Sequence, residues 1–203
     1  MRIKKILLSF TFVSFVITGF AQANWEVNFV RDINHPAPYS QVWKTLSSTE
    51  KPIVVGIPLS MFAVGLITKN KDLQIDAYEV AAGLAITTIV TQGLKSAIKR
   101  PRPYTTYGDI YPDETDDSYS FPSGHTSSAF SIATSLSLTC KKWYITVPAF
   151  AWATGVGYSR MYLGQHYPSD VFVGALVGAG GAYASHWLNK KFFFRKKKTT
   201  PLP

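Results

Sequence analysis

The apolar residues of this chain fall into five blocks, at about 52–68, 78–94, 126–140, 143–158 and 170–188, and the charges collect in the gaps between them. Each block runs about 15–19 residues, the lower end of what a helix needs to cross a hydrocarbon core of about 30 Å. Lipid offers no partner to a free backbone N–H or C=O, so blocks of this kind must be helical. Gly56, Pro58 and Gly65 interrupt the first block, and membrane helices tolerate such residues. The expected fold is all-α: a helical bundle, polytopic in the membrane, with five to six transmembrane helices. A soluble helical bundle is the alternative, kept open by short blocks and a mean hydropathy of only +0.05.

The ends set the orientation. Arg2, Lys4 and Lys5 precede an apolar run from Ile6 to Phe20, followed by Ala21-Gln22-Ala23, a small-x-small cleavage pattern. Residues 1–23 therefore read as a signal peptide or as an uncleaved first transmembrane helix, and both place Asn24 onward outside the cytoplasmic membrane. Residues 24–51 mix Trp25, Phe29, Ile33, Tyr39 and Trp43 with polar residues, as expected of a periplasmic, interfacial segment. Residues 52–190 form the helical domain, and 191–203 a basic cytoplasmic tail. Threaded from outside at residue 24, the chain puts Lys69 and Lys71, then Lys141 and Lys142, then Lys190 and Lys191 on the inner side. That agrees with the bias of cytoplasmic loops toward Lys and Arg. The expected location is a bacterial inner membrane.

The formal net charge is +9. A basic balance suits nucleic acid, anionic lipid or an anionic small molecule. Aromatic-basic interleaving is missing and much of the charge sits at the two ends, which argues against nucleic acid. The single cysteine, Cys140, excludes an internal disulfide and a Cys-based zinc site. In the threading above, the outer loops 95–125 and 159–169 hold Lys95, Lys99, Arg100, Arg102 and Arg160. Outer cations with no topological purpose imply an anionic ligand.

Three stretches carry the chemistry. In "KSAIKRPRP", Lys95 sits on the last turn of a helix, while Pro101 and Pro103 hold Arg102 in an extended stretch beyond it. In "FPSGHTS", Ser123, Gly124 and His125 stand at a helix start, whose free N–H groups and dipole suit phosphate. Gly124 lets the backbone approach a ligand closely. In "SRMYLGQHYPSD", Arg160 offers a guanidinium fork, and His166 and Asp170 lie four apart. A carboxylate accepting from one imidazole nitrogen fixes the tautomer and frees the other nitrogen as a nucleophile. Each stretch alone is as readily a solvated face, a cap or a structural His–Asp pair. Together they assemble the positive charge, nucleophile and acid that phosphoryl transfer requires. The acidic loop between the first two stretches, with Asp109, Asp113, Glu114, Asp116 and Asp117, reads as a solvated lid, with cation binding as its alternative. His186 reads as structural.

These stretches resemble the three signature motifs of the type 2 phosphatidic acid phosphatase superfamily, K-x6-RP, PSGH and SR-x5-H-x3-D, at the family spacing. The superfamily also holds class A acid phosphatases and vanadium haloperoxidases. The resemblance implies His166 as nucleophile, Asp170 as its orienter and His125 as general acid. It implies Lys95, Arg102, Ser123, Gly124 and Arg160 as phosphate-binding groups, with no metal and no cofactor. Membrane lipids and a lipid phosphate substrate are the expected partners, with the active site facing the periplasm. Undecaprenyl diphosphate, phosphatidylglycerophosphate, phosphatidate and lipid A phosphates all fit. A soluble periplasmic acid phosphatase and a non-catalytic lipid-headgroup binder or transporter are the competing readings. The oligomeric state is left open.

Overall fold

The computed structural model describes residues 24–192. The signal or first-helix reading of residues 1–23 and nearly all of the basic tail lie outside the described residues. Among those described, every regular element is helical: α1 Asn24–Ile33, α2 Gln41–Ser48, α3 Glu50–Ile67, α4 Lys71–Ile98, α5 Pro103–Thr106, α6 Gly124–Cys140, α7 Trp143–Tyr162 and α8 Pro168–Phe192. The five apolar blocks thus become α3, α4, α6, α7 and α8. Among the described residues, three stretches are long and apolar enough to cross a membrane: Gln41–Ile67, Lys71–Thr106 and Pro168–Lys191. Helix α6 has only 17 residues, and α7 is diluted by Pro148, Gly155 and Gly157.

Helix α6 occupies the middle of the bundle, packed on α8, α7 and α4. Apart from Ile132, its buried surface is small and hydroxyl-rich: Thr126, Ser127, Ala129, Ser131, Ala133, Thr134 and Ser135. Small side chains let helix backbones approach, and hydroxyls pair across the seam, as Thr87 Oγ1 does with Ser131 Oγ at 3.2 Å. The facing helix is cut to match. A Cβ added at Gly178 would lie 2.1 Å from the Ser127 carbonyl oxygen, and one at Gly174 2.8 Å from that of Ser123. Any side chain there would push α8 off α6. Outward, α3, α4 and α8 expose Val55, Leu59, Ile67, Ile89, Phe172, Leu176 and Trp187, an apolar surface suited to lipid tails.

The segment 24–51 carries α1, α2 and the start of α3, and it is built into the fold. Helix α1 turns Trp25 and Phe29 outward while Val27 and Val30 pack on Ile110 and Tyr167. Loop geometry at the same end of the bundle follows from local backbone choices. Lys99 caps α4 in the left-handed conformation (φ 52°), and Arg102 follows extended (φ −74°, ψ 156°) with Pro103 opening α5. Gly164 (φ 69°) makes the turn after α7, where a Cβ would lie 2.7 Å from the Tyr111 carbonyl oxygen. One expectation is corrected here: Arg160, placed in a loop by sequence, lies in the last turn of α7. Between Gly157 and Gly164 no Gly or Pro stands to end the helix sooner.

Candidate active site

The Gly164 turn presents His166. The backbone N–H groups of Gln165 and His166 both bond the Arg160 carbonyl, at 2.9 and 3.3 Å, and the His166 side chain is buried, 2% exposed. Its Nδ1 stands 3.6 Å from Asp170 Oδ2, too far for the direct hydrogen bond expected from sequence. Ser120 fills the gap: its hydroxyl donates to Asp170 Oδ2 and lies 3.3 Å from His166 Nδ1. A hydroxyl that has spent its proton on a carboxylate can only accept from the imidazole, so Nδ1 carries the hydrogen and Nε2 the lone pair. That Nε2 is 3.4 Å from Arg102 Nη1. Burial pushes His166 down to about 3 against the pull of Asp170, so the ring is neutral at physiological pH.

Asp170 is held from several sides. Arg100 Nη1 pairs with its Oδ1 at 2.8 Å, and the Tyr167 N–H donates to Oδ2 at 2.9 Å. Arg100 in turn pairs with Glu26 of α1 at 2.8 Å and lies over the Tyr167 ring, 3.8 Å from its centroid. Glu26 also accepts the Ser169 N–H at 2.8 Å. The first helix of the described chain thus clamps the start of the last.

Helix α6 begins at the same place. Ser123 is its N-cap, accepting from the Thr126 hydroxyl at 2.9 Å, which leaves its own hydrogen free to donate. The Ser123 N–H bonds the Asp170 carbonyl at 3.0 Å and ties the α6 start to α8. A Cβ at Gly124 would meet nothing within 4 Å, so open space lies before the helix N-terminus. His125 is a quarter exposed and stands 3.7 Å through Nε2 from Glu50 Oε2. Burial, aided by the Arg160 charge, pushes it down to about 3.

Three cations surround this space. Lys95 is buried and donates to the Tyr119 carbonyl. Arg102 donates to the Ser118 and Gln165 carbonyls, at 2.9 and 3.1 Å, and pairs with Asp116. Arg160, 2% exposed, gives Nη1 to Ser47 Oγ at 2.8 Å. Its Nε is buried without a partner, and a buried donor left unmade is costly unless a ligand takes it. The acidic loop expected as a solvated lid is partly engaged: Asp116 sits on Arg102, Asp113 accepts from Gln165 at 3.1 Å, and Asp109 pairs with Arg31 at 2.7 Å. Among the described residues no three His, Cys, Asp or Glu side chains converge as a metal site.

Lys95, Arg102, Ser123, Gly124, His125, Arg160, His166 and Asp170 therefore meet at one end of the bundle. Sequence reasoning passed over Ser120, Glu26, Glu50, Ser47 and Gln165, and counted Arg100 only as an outer charge. The PAP2 superfamily model matches residues 76–194, which contain all eight. The chain belongs to the PAP2 superfamily. It is similar to a lipid A 4′-phosphatase of Bacteroides thetaiotaomicron, 26% identical over 175 residues, or 81% of this chain and 78% of the relative. Among solved PAP2-like structures, LpxE of Aquifex aeolicus superposes with a TM-score of 0.66 at 27% identity, covering 79% of this chain and 92% of that one. A transmembrane PAP2-type phosphatidylglycerolphosphate phosphatase of Bacillus subtilis shares the fold, with a TM-score of 0.68 at 23% identity over 93% of this chain and 98% of that one.

Proposed function

We propose that this PAP2 protein is a membrane-embedded lipid phosphatase that works through a phosphohistidine on His166, with five helices in the membrane and the site on the periplasmic face. The observation that carries the reading is the placement of His166 Nε2, 3.4 Å from Arg102 Nη1, facing a set of cations that includes the unpartnered Arg160 Nε. Nε2 attacks phosphorus in line while the bond to the lipid oxygen breaks. Lys95, Arg102, Arg160, the Ser123 hydroxyl and the N–H groups at Gly124 hold the equatorial oxygens, whose charge is what catalysis must stabilise. His125 gives a proton to the leaving oxygen, and then takes one from the water that cleaves the P–N bond.

Burial and the surrounding cations keep His125 neutral, pushed down to about 3. An acid must be charged, so its proton arrives with the substrate: a phosphomonoester has its second pKa at about 6 and adds negative charge beside the ring. Lipid A phosphate is the first substrate to test, supported by a relative named as a lipid A 4′-phosphatase that matches over most of both chains. The experiment is a panel of lipid A, phosphatidylglycerophosphate, phosphatidate and undecaprenyl diphosphate, with phosphate release measured for purified wild type and His166→Ala. Release from lipid A in the wild type and its loss in the variant is the expected result. Release that survives His166→Ala rejects the phosphohistidine.

A further inference from the structure

The reaction just described gives His125 a proton to handle without naming what steadies it. Glu50 opens α3, far from every motif, yet its carboxylate is 7% exposed and its Oε2 stands 3.7 Å from His125 Nε2. Its Oε1 accepts the Ser128 hydroxyl, from the next turn of α6 beyond His125. The neighbouring residues are equally tied to the site. Ser47 accepts from Arg160 Nη1 at 2.8 Å, and Thr49 Oγ1 accepts from Trp152 Nε1 at 3.0 Å, pinning the α2–α3 junction to α7. One short stretch, 47–50, thus holds both the arginine with the unpartnered donor and the helix-start histidine.

We propose that Glu50 is the positioning residue of His125: its carboxylate, 3.7 Å from Nε2, attracts that side of the ring and stabilises the imidazolium, which leaves Nδ1 to give its proton to the departing lipid oxygen. This rests on the phosphatase reading of His125. The logic is that of a carboxylate behind a catalytic imidazole, which orients the ring and offsets its charge without being protonated itself. Such support is needed here, because burial and the groups that weigh most on His125 oppose its protonation: Arg160 from α7, His166 from the turn before α8, Lys51 from α3 and Arg102 from the loop after α4. Glu50 faces Lys51 on its own helix and Arg160 on α7.

The test separates an acid's partner from a packing contact by the leaving group. Alkyl oxygens need a proton as they depart, and para-nitrophenolate does not. The ratio kcat/KM, which reports the first phosphoryl transfer, is measured in detergent micelles for dioctanoyl phosphatidate and para-nitrophenyl phosphate. Glu50→Gln keeps the Ser128 contact and is expected to lose about 30-fold on the alkyl ester and at most about 3-fold on the nitrophenyl ester, a share of what a positioned acid supplies. The alkaline limb for the alkyl ester moves to lower pH, because removing a negative neighbour lowers the histidine pKa. Equal losses on both esters, or none, overturn the role. If Glu50→Gln has no melting transition, Glu50→Asp carries the comparison: an ester ratio near wild type supports the role of the charge, and an altered ratio overturns it. His166→Ala run alongside keeps the two readings apart. Activity there overturns the phosphatase reading itself, whereas an inactive His166→Ala with an unaffected Glu50→Gln overturns only the role of Glu50.

Discussion

Two histidines of this bundle each sit beside a buried carboxylate, and they differ in what surrounds the pair. At one end His166 is separated from Asp170 by 3.6 Å and a serine hydroxyl, and its other nitrogen faces Arg102. At the other end His186 meets Glu79 directly, Nδ1 to Oε1 at 2.6 Å, and Asn189 and Ser185 of the same helix also bond Glu79. Along α4, Glu79 and Lys95 are about 24 Å apart at 1.5 Å per residue. Glu79 binds α8 to α4 through groups that all satisfy one another. Around His166, by contrast, cations gather without a full set of partners, which is costly unless an anion arrives. A His–carboxylate pair alone therefore says little; the unmatched positive charge beside it separates a site from a brace.

The sharpest way to break the comparison is to exchange the losses. His166→Ala is expected to lower phosphate release on the order of 10⁶-fold, as removal of a nucleophile does. His186→Ala should leave kcat/KM within about 2-fold, as substitutions away from a site do. Comparable losses in both variants would erase the distinction. Next in size is Arg160→Ala, which removes the unpartnered donor and should cost about 10²- to 10³-fold in kcat/KM, the usual scale for one group on a developing charge. A loss confined to thermal stability would make Arg160 a structural tie to Ser47.

The braced end and the charged end were not equally legible in the sequence. Contiguous apolar blocks announced the helices, and Pro101 and Pro103 announced the extended Arg102, because those signals are local. The residues passed over act across the chain. Glu26 bonds the N–H of Ser169, 143 positions away, and Asn34 bonds the Tyr162 carbonyl at a separation of 128. No spacing rule reaches that far from a single sequence. Ser120 lies just before a motif, but a serine in a loop has no pattern to mark it. Arg160 was misplaced for a plainer reason: a polar SRMY stretch reads as loop, yet it continues the helix until Gly164 permits the turn.

The charged end should respond to acid. His125 and His166 are held at about 3, against about 6.5 in an unfolded chain. Between those values the unfolded state binds more protons, so stability falls as pH drops through 6.5 and levels off near 3. The melting temperature in detergent should therefore decline from pH 7 to pH 4. His125→Gln should flatten that decline, because one of the two buried neutral rings is gone. A His125→Gln curve parallel to wild type would show that this ring is not buried neutral in the folded state.

The smallest effect belongs to the brace. Glu79→Gln keeps an oxygen for Asn189 and the backbone carbonyl for Ser185, and changes only the charge facing His186. Replacing one charged hydrogen bond by a neutral one should cost about 1 kcal/mol, or about 2–4 °C in melting temperature for a domain of this size. The kcat/KM of the lipid panel should not move. Because α4 carries Glu79 near one end and Lys95 near the other, a change in catalysis without loss of stability would mean that α4 transmits a shift along its length. The two ends would then be one device, and the comparison between them would fail.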